Sequence, residues 1–354
     1  MTTAVSIRPT AGLPEHIRTE SELEALLTRP SDELVRYISS LSSPLLVLGA
    51  GGKMGPTLAV MAHRAAEAAR HPLKVIAVSR FTDSGVASWL EQHGVATVRC
   101  DLLQPDALRG LPDSENVIHL VGQKFGTGKN PGATWVMNIV VPARVAERYR
   151  RARLVTLSTG NVYPLSQVGQ AGSLESDPLT PVGEYANSAV GRERVFEYYS
   201  LRDSIPVATL RLCYAVELRY GVVLDIAQRI DAGEPVDTAN GYFNCIWQGD
   251  ACDMILRSLS LAKCPPSVWN LCRPEAYAVR TIARRLGELL DREPKFRGQE
   301  SPNALLANPA RICAELGEPR TPMDTILRWV AEWVKSNGRS LGKPTHFEVL
   351  DGRY

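Results

Sequence analysis

The sequence predicts a doubly wound α/β fold, a parallel sheet covered by helices on both faces, with a smaller C-terminal α+β lobe. Three observations predict it. Short apolar runs alternate with amphipathic helical stretches from residue 44 to residue 213, the order expected of parallel strands joined by crossover helices. The first of those runs ends in closely spaced glycines and passes at once into a helical pattern. After Tyr214 the alternation loosens, which marks a second, differently built part of the chain.

Residues 1–43 read as an N-terminal helical extension, with helical stretches at Glu20–Leu27 and Ser31–Leu41, the second opened by Ser31 as N-cap. Leu45–Leu48 is an apolar strand, and a helix runs from Pro56 to about Ala69. Strands follow at Lys74–Val78, Thr97–Arg99, Asn116–Val121, Leu154–Ser158 and Val207–Leu212, with helices at Val86–Gln92, Trp135–Arg150 and Glu184–Ser200. These elements define a sheet domain over 44–213. The chain returns to it near 245–271 through a helix at Asp250–Leu261 and a strand at Val268–Leu271. Residues 214–244, with a helix near Val222–Ala232, and residues 272–354 are expected to form the lobe and tail; from Lys343 no periodicity is visible.

Composition narrows the function. A chain of 354 residues with 44% apolar and 22% charged residues and a formal charge of +2 carries no field strong enough to favour nucleic acid or an anionic membrane. No apolar run approaches the roughly 18 residues of a membrane-spanning helix. Arg8, Pro9 and Pro14 interrupt the first apolar stretch, so no signal segment is expected and the protein is expected in the cytoplasm. Seven scattered cysteines read as reduced residues, and six dispersed histidines show no ligand spacing, so no metal site is expected.

The run Gly49-Ala50-Gly51-Gly52-Lys53-Met54-Gly55 stands between the first strand and the first long helix. In that context glycines allow a tight turn, a close approach of backbone to a pyrophosphate, and helix-on-strand packing. The N–H groups around Gly52, Lys53 and Met54 then face the anion at the helix N-terminus. The expectation is a Rossmann-type dinucleotide site. At the end of the second strand, where an NAD site usually places a carboxylate for the ribose 2′-hydroxyl, stand Ser79 and Arg80. A guanidinium beside a small hydroxyl suits a 2′-phosphate, so NADP is favoured over NAD, with NAD as the other possibility. Asp101, followed by Leu102, is placed either to accept from the adenine amino group or to cap the next turn.

These residues resemble the extended short-chain dehydrogenases/reductases, the NAD-dependent epimerase/dehydratase family, over about residues 44 to 335. Leu157-Ser158-Thr159-Gly160-Asn161-Val162-Tyr163 resembles the family's S-[ST]-x-x-V-Y segment, and Tyr185 follows Thr159 by 26 residues. His119-Leu120-Val121-Gly122-Gln123-Lys124 is similar to the H-x-A-G-x-K stretch of the sugar-nucleotide epimerases, and Asn138 matches an asparagine of the next helix. Weaker likenesses continue at Trp247–Ala251, Val268–Leu271 and Leu316–Pro319. The resemblance implies Tyr185 as general acid/base and Thr159 as the hydroxyl that orients the reacting oxygen, with Ser158 beside them as a catalytic candidate. It also implies Val121, Gly122 and Lys124 as cofactor contacts, and a homodimer packed through the helices Trp135–Arg150 and Glu184–Ser200, where Phe196, Tyr198 and Tyr199 supply an apolar surface.

Two positions depart from the family. Its lysine four residues after the tyrosine draws the phenol pKa down from about 10; here Ala189 stands there. Lys124 and Arg192 are the possible replacements, with Lys124 ranked first because Arg192, beside Glu193 and Glu197, reads as a solvated helix residue. Gly160-Asn161 replaces the Asp-Glu pair of the dehydratases, which removes their proton shuttle. The expected function is an NAD(P)-dependent oxidoreductase or epimerase acting on a hydroxyl or carbonyl of a small polar molecule: a sugar, sugar acid or nucleotide sugar. The alternative is a non-catalytic dinucleotide-binding sensor or scaffold, which the missing lysine suggests and the retained Thr159 and Tyr185 oppose. Candidate substrate contacts are Asn161, Tyr214, Arg219 and Arg273, taken from a wider set that includes Arg211, Arg280, Tyr242, Phe243 and Trp247.

Overall fold

In the computed structural model, which describes residues 12–124, 126, 129–343 and 345–349, seven parallel strands form the central sheet. Counting only the strands of this sheet, they are β1 (Leu45–Leu48), β2 (Val75–Ser79), β3 (Ala96–Arg99), β4 (Asn116–His119), β5 (Arg153–Thr159), β6 (Val207–Leu212) and β7 (Ser267–Leu271). Their order is 7-6-5-4-1-2-3, the doubly wound arrangement with one strand added. β1 therefore lies between β2 and β4, with Leu48 opposite both Val78 and His119. The chain reverses its winding direction beside β1, and a crevice opens at the carboxyl ends of β1 and β4.

Because side chains alternate along a strand, β1 serves two cores. Leu45 and Val47 join one, with α2 (Asp32–Ile38), α3 (Gly55–Ala68), α4 (Ser84–Gln92) and α10 (Gln248–Arg257). Leu46 and Leu48 face the other, against α5 (Pro105–Arg109), α7 (Val141–Arg148) and α8 (Gly183–Asp203). A third core holds α1 (Glu20–Leu27), α9 (Val222–Asp231), α11 (Val279–Leu290) and α13 (Met323–Lys335). In α11 the buried positions Val279, Ile282, Ala283, Leu286 and Leu290 trace one helical face. The stretch that reads as loosened after Tyr214 is thus built largely of amphipathic helices, including α12 (Ala310–Leu316) against β7.

The N-terminal helices are integral to the fold. Thr19 and Glu22 form a capping box that starts α1, whose Leu23 and Leu27 enter the lobe core, while Leu34 and Ile38 of α2 enter the sheet core. Of the early breakers, Pro14 is seen, while Arg8 and Pro9 lie outside the described residues. Part of the tail folds onto the lobe: Thr345 N and Oγ1 donate to Asp225 Oδ2, and Phe347 is buried.

One predicted helix is broken. Trp135–Arg150 is divided into α6 (Pro131–Trp135), a π-turn at Val136–Val140 and α7. Pro142 has no N–H to give the Asn138 carbonyl four residues back, and the Val141 N–H bonds instead to Val136 O. The widened turn carries Asn138, buried, toward the crevice loop.

Candidate active site

A cleft occupies the carboxyl end of the sheet. Gly49, Gly52, Lys53, Met54 and Gly55 line it after β1, Leu120, Gly122 and Lys124 after β4, and Thr159, Gly160 and Asn161 after β5; Tyr185, Tyr214 and Tyr220 close it from the α8 and lobe sides. Among the described residues no carboxylate lines it.

The glycine turn is shaped for close approach. Gly49 sits at φ +88°, and a Cβ there would stand 2.9 Å from Val121 N and Cγ2. At Gly55 a Cβ would come within 2.5 Å of Ala50 Cα and O, so α3 can pack on the turn only because the position is glycine. At Gly52 the only near atom among the described residues is Gly49 O at 3.3 Å, which leaves its outer side open to a ligand. Among the described residues no side chain caps the start of α3, so its first N–H groups remain for an anion. These features fit a dinucleotide pyrophosphate. Lys53 reaches from the turn across to the lobe, where Nζ donates to Ala215 O at 2.9 Å and lies 3.3 Å from the Tyr220 ring centre. Burial lowers its pKa to about 7, against a smaller opposing pull from Glu217, and burial also lowers Lys124 to about 8.

Tyr185, near the start of α8, and Thr159, at the end of β5, meet in this cleft. Thr159 Oγ1 donates to Asn161 Oδ1 at 2.9 Å and accepts from Asn161 N at 3.2 Å, so Asn161 holds the threonine hydroxyl. Lys124 Nζ lies 6.0 Å from the Tyr185 ring centre and 5.9 Å from that of Tyr214. The loop bearing it is tied to Asn138, whose Oδ1 accepts from Gln123 N at 3.0 Å and whose Nδ2 donates to Gln123 O at 3.2 Å and Ser188 Oγ at 2.8 Å. His119 is buried, shares a hydrogen bond with Thr156 Oγ1, and is held neutral, its pKa lowered by burial to about 3.

Several expectations need correction. Arg192 is not solvated: it is 4% exposed, donating from Nη1 to Leu157 O and from Nη2 to Asn138 Oδ1. Ser158 points away from the cleft and donates to Glu193, itself paired with Arg211. Arg219 is taken up by Glu217, Glu20 and Glu24, which fasten α1 to the lobe. Arg273 is held by Glu275 and by the Pro319 and Thr321 carbonyls. Neither arginine lines the cleft, and Arg211 and Arg280 are likewise paired with Glu193 and Glu300. Of the aromatic candidates Tyr214 lines the cleft, whereas Phe243 and Trp247 fill the lobe core and Tyr242 sits half-buried in a two-residue strand. Phe196 belongs to the sheet core and cannot form an outer surface.

The adenosine-side candidates lie outside the cleft on the sheet edge. Ser79 backs the glycine turn, where a Cβ on Gly51 would stand 2.6 Å from its Oγ. Arg80 is exposed, and its carbonyl accepts from Arg99 Nη1 at 3.1 Å, which sets two guanidinium-bearing residues at this edge. Asp101 Oδ1 accepts from Leu103 N at 3.0 Å, the turn-capping role, and Leu102 packs into the sheet core. Tyr220 was not foreseen from the sequence. It follows no periodic pattern and reaches the cleft because Gly221, at φ +131°, turns the chain into α9.

The sequence model of the NAD dependent epimerase/dehydratase family matches residues 45–240, more than half of the chain. The chain belongs to that family. It is therefore an enzyme of the short-chain dehydrogenase type, in a family that works with NAD. No curated protein matches the sequence. Among solved structures, UDP-glucose 4-epimerase of Thermotoga maritima with UDP-glucose is 17% identical at a TM-score of 0.67, covering 83% of this chain and 99% of that one. A mutant UDP-glucuronic acid 4-epimerase of Bacillus cereus, with NAD and a fluorinated substrate analogue, is 18% identical at 0.70, with coverage of 83% and 99%. dTDP-glucose 4,6-dehydratase of Bacillus anthracis with NAD is 16% identical at 0.70, with coverage of 84% and 97%. At these identities the likeness establishes a shared fold.

Proposed function

We propose that this enzyme transfers hydride at a hydroxyl- or carbonyl-bearing carbon of a sugar, sugar acid or nucleotide sugar, and that it prefers NADP to NAD. The observation that carries the reading is the convergence of Tyr185 and Thr159 with the glycine turn in one cleft; a sensor or scaffold would have no use for that pair of hydroxyls.

The glycine turn and the α3 N-terminus would hold the pyrophosphate, with Lys53 and Lys124 supplying positive charge. The bound nicotinamide supplies the hydride acceptor or donor. Tyr185 takes the proton from the substrate oxygen as that carbon is oxidised and returns one on reduction. Thr159, fixed by Asn161, orients the same oxygen. Among the described residues two lysines and no carboxylate line the cleft, which favours an anionic substrate, a sugar acid or a sugar attached to a nucleoside diphosphate. The NADP preference rests on Arg80 and on Arg99 bonded to its carbonyl, with no carboxylate at the end of β2. Leu201 and Tyr198 of α8, with Trp135 and Val136 beside it, are exposed large apolar residues and support a homodimer through this face.

The test is a fluorescence titration with NADPH and NADH of the wild type and Arg80→Asp, followed by turnover of UDP-glucose, UDP-galactose and UDP-glucuronic acid. NADPH is expected to bind at least tenfold tighter than NADH, an advantage that Arg80→Asp removes. Equal binding of both would overturn the NADP preference. Absence of turnover with every sugar nucleotide would overturn that substrate class.

A further inference from the structure

We infer that the Arg192 guanidinium is the cation that stabilises the ionised form of the Tyr185 phenol, a role that rests on the reading of Tyr185 as the acid/base group. Arg192 follows Tyr185 by seven residues on α8, two turns along the same face. The position between them, Ala189, is buried and apolar. The guanidinium lies beneath the cleft floor: a Cβ on Gly122, which lines the cleft, would stand 2.5 Å from Arg192 Nη2.

The pairing of this group is unusual. Its bonds go to two neutral oxygens, Leu157 O and Asn138 Oδ1, and its Nε has no partner. Among the described residues no carboxylate comes within ion-pair distance of it. A buried guanidinium without a counter-charge is costly, and buried cations are ordinarily paired. Burial depresses its pKa, and the groups that oppose this are Tyr185 first and Glu193 second. Glu193 is already committed to Arg211 at 2.7 Å and to Ser158. That leaves the Tyr185 phenolate as the anion Arg192 can serve. Other ionisable groups of the same cleft are Lys124, 6.0 Å from the Tyr185 ring centre, Lys53, Tyr214 and Tyr220, with Glu184 adjacent in the chain. His119, below Arg192, stays neutral and adds no competing charge.

Since arginine stays protonated across the working range, Arg192 acts by its field alone and passes no proton. In the reaction the proton moves between the substrate oxygen and Tyr185 Oη only. Arg192 is therefore a positioning residue for charge, and its effect is to be read on the phenol.

The experiment is a titration of tyrosine labelled at the ring Cζ with carbon-13, followed by NMR on the cofactor-free protein, with the Tyr185 signal assigned by Tyr185→Phe. It needs no turnover, so its outcome is separate from that of the substrate screen. Arg192→Gln is expected to move the Tyr185 midpoint up by about one unit, tenfold in the ionisation constant, and Arg192→Lys to restore most of that shift. Should Arg192→Gln fail to fold, Gly122→Ala, whose methyl group displaces the guanidinium, is expected to move the midpoint in the same direction. A midpoint unmoved by these substitutions overturns the proposal, as does one that moves with Lys124→Met and not with Arg192→Gln.

Discussion

Replacing Lys53 by methionine should remove a proton uptake that accompanies dinucleotide binding. Burial holds the Lys53 amine at about 7 and that of Lys124 at about 8, because the charged form loses its hydration. At pH 8, Lys53 is then about nine-tenths neutral and Lys124 about half neutral. A diphosphate set against the glycine turn brings negative charge beside these amines and raises both values. The complex should therefore take up about one and a half protons at pH 8 and almost none at pH 6. Calorimetric titration with NADPH in Tris and in HEPES measures this, since the difference in apparent enthalpy between buffers counts the protons exchanged. Lys53→Met should lower the count at pH 8 by about one. A count near zero in the wild type, or one that Lys53→Met leaves unchanged, would refute the reasoning. The same amine links pH to stability in the free protein. Its folded value lies below the unfolded one, so above pH 7 the unfolded chain binds the additional proton, and stability rises from pH 7 toward 10. Lys53→Met should flatten that rise in urea titrations.

The buried pair between Arg211 and Glu193 ties β6 to α8, the helix that carries Tyr185. Glu193→Gln leaves the Arg211 charge buried and should destabilise the fold by about 3–5 kcal/mol in urea unfolding, with Arg211→Met in the same chain recovering part of the loss; a loss under about 1 kcal/mol would mean the pair is solvated. For the α8 face, Leu201→Glu should convert a dimer to monomer in sedimentation velocity, and a monomeric wild type would remove the dimer outright.

Local features of the chain determined the sheet strands and the glycine turn. Apolar runs such as Leu45–Leu48 and Val207–Leu212 are buried on both faces, so their hydrophobicity alone marks them; Gly55 is required by a local contact with Ala50, whereas Gly49 and Gly51 are required by Val121 and Ser79, which only the sheet brings to the turn. Thr159 and Tyr185 were legible only through the resemblance to the family's motif, in which the tyrosine follows at this interval of 26 residues, and both line one cleft. What tertiary structure decided was the fate of the buried arginines. Nothing in the local sequence distinguishes Arg192, buried under the cleft floor, from a solvated helix arginine, because its partners Leu157 and Asn138 are 35 and 54 residues away. Arg219 and Arg273 read equally well as phosphate ligands until the fold brings Glu20 and Glu24 to the one and the Pro319 and Thr321 carbonyls to the other. Hydrophobic periodicity is a short-range signal that survives in the sequence. The pairing of charges is set by which distant segments pack together, and that is decided only when the chain folds.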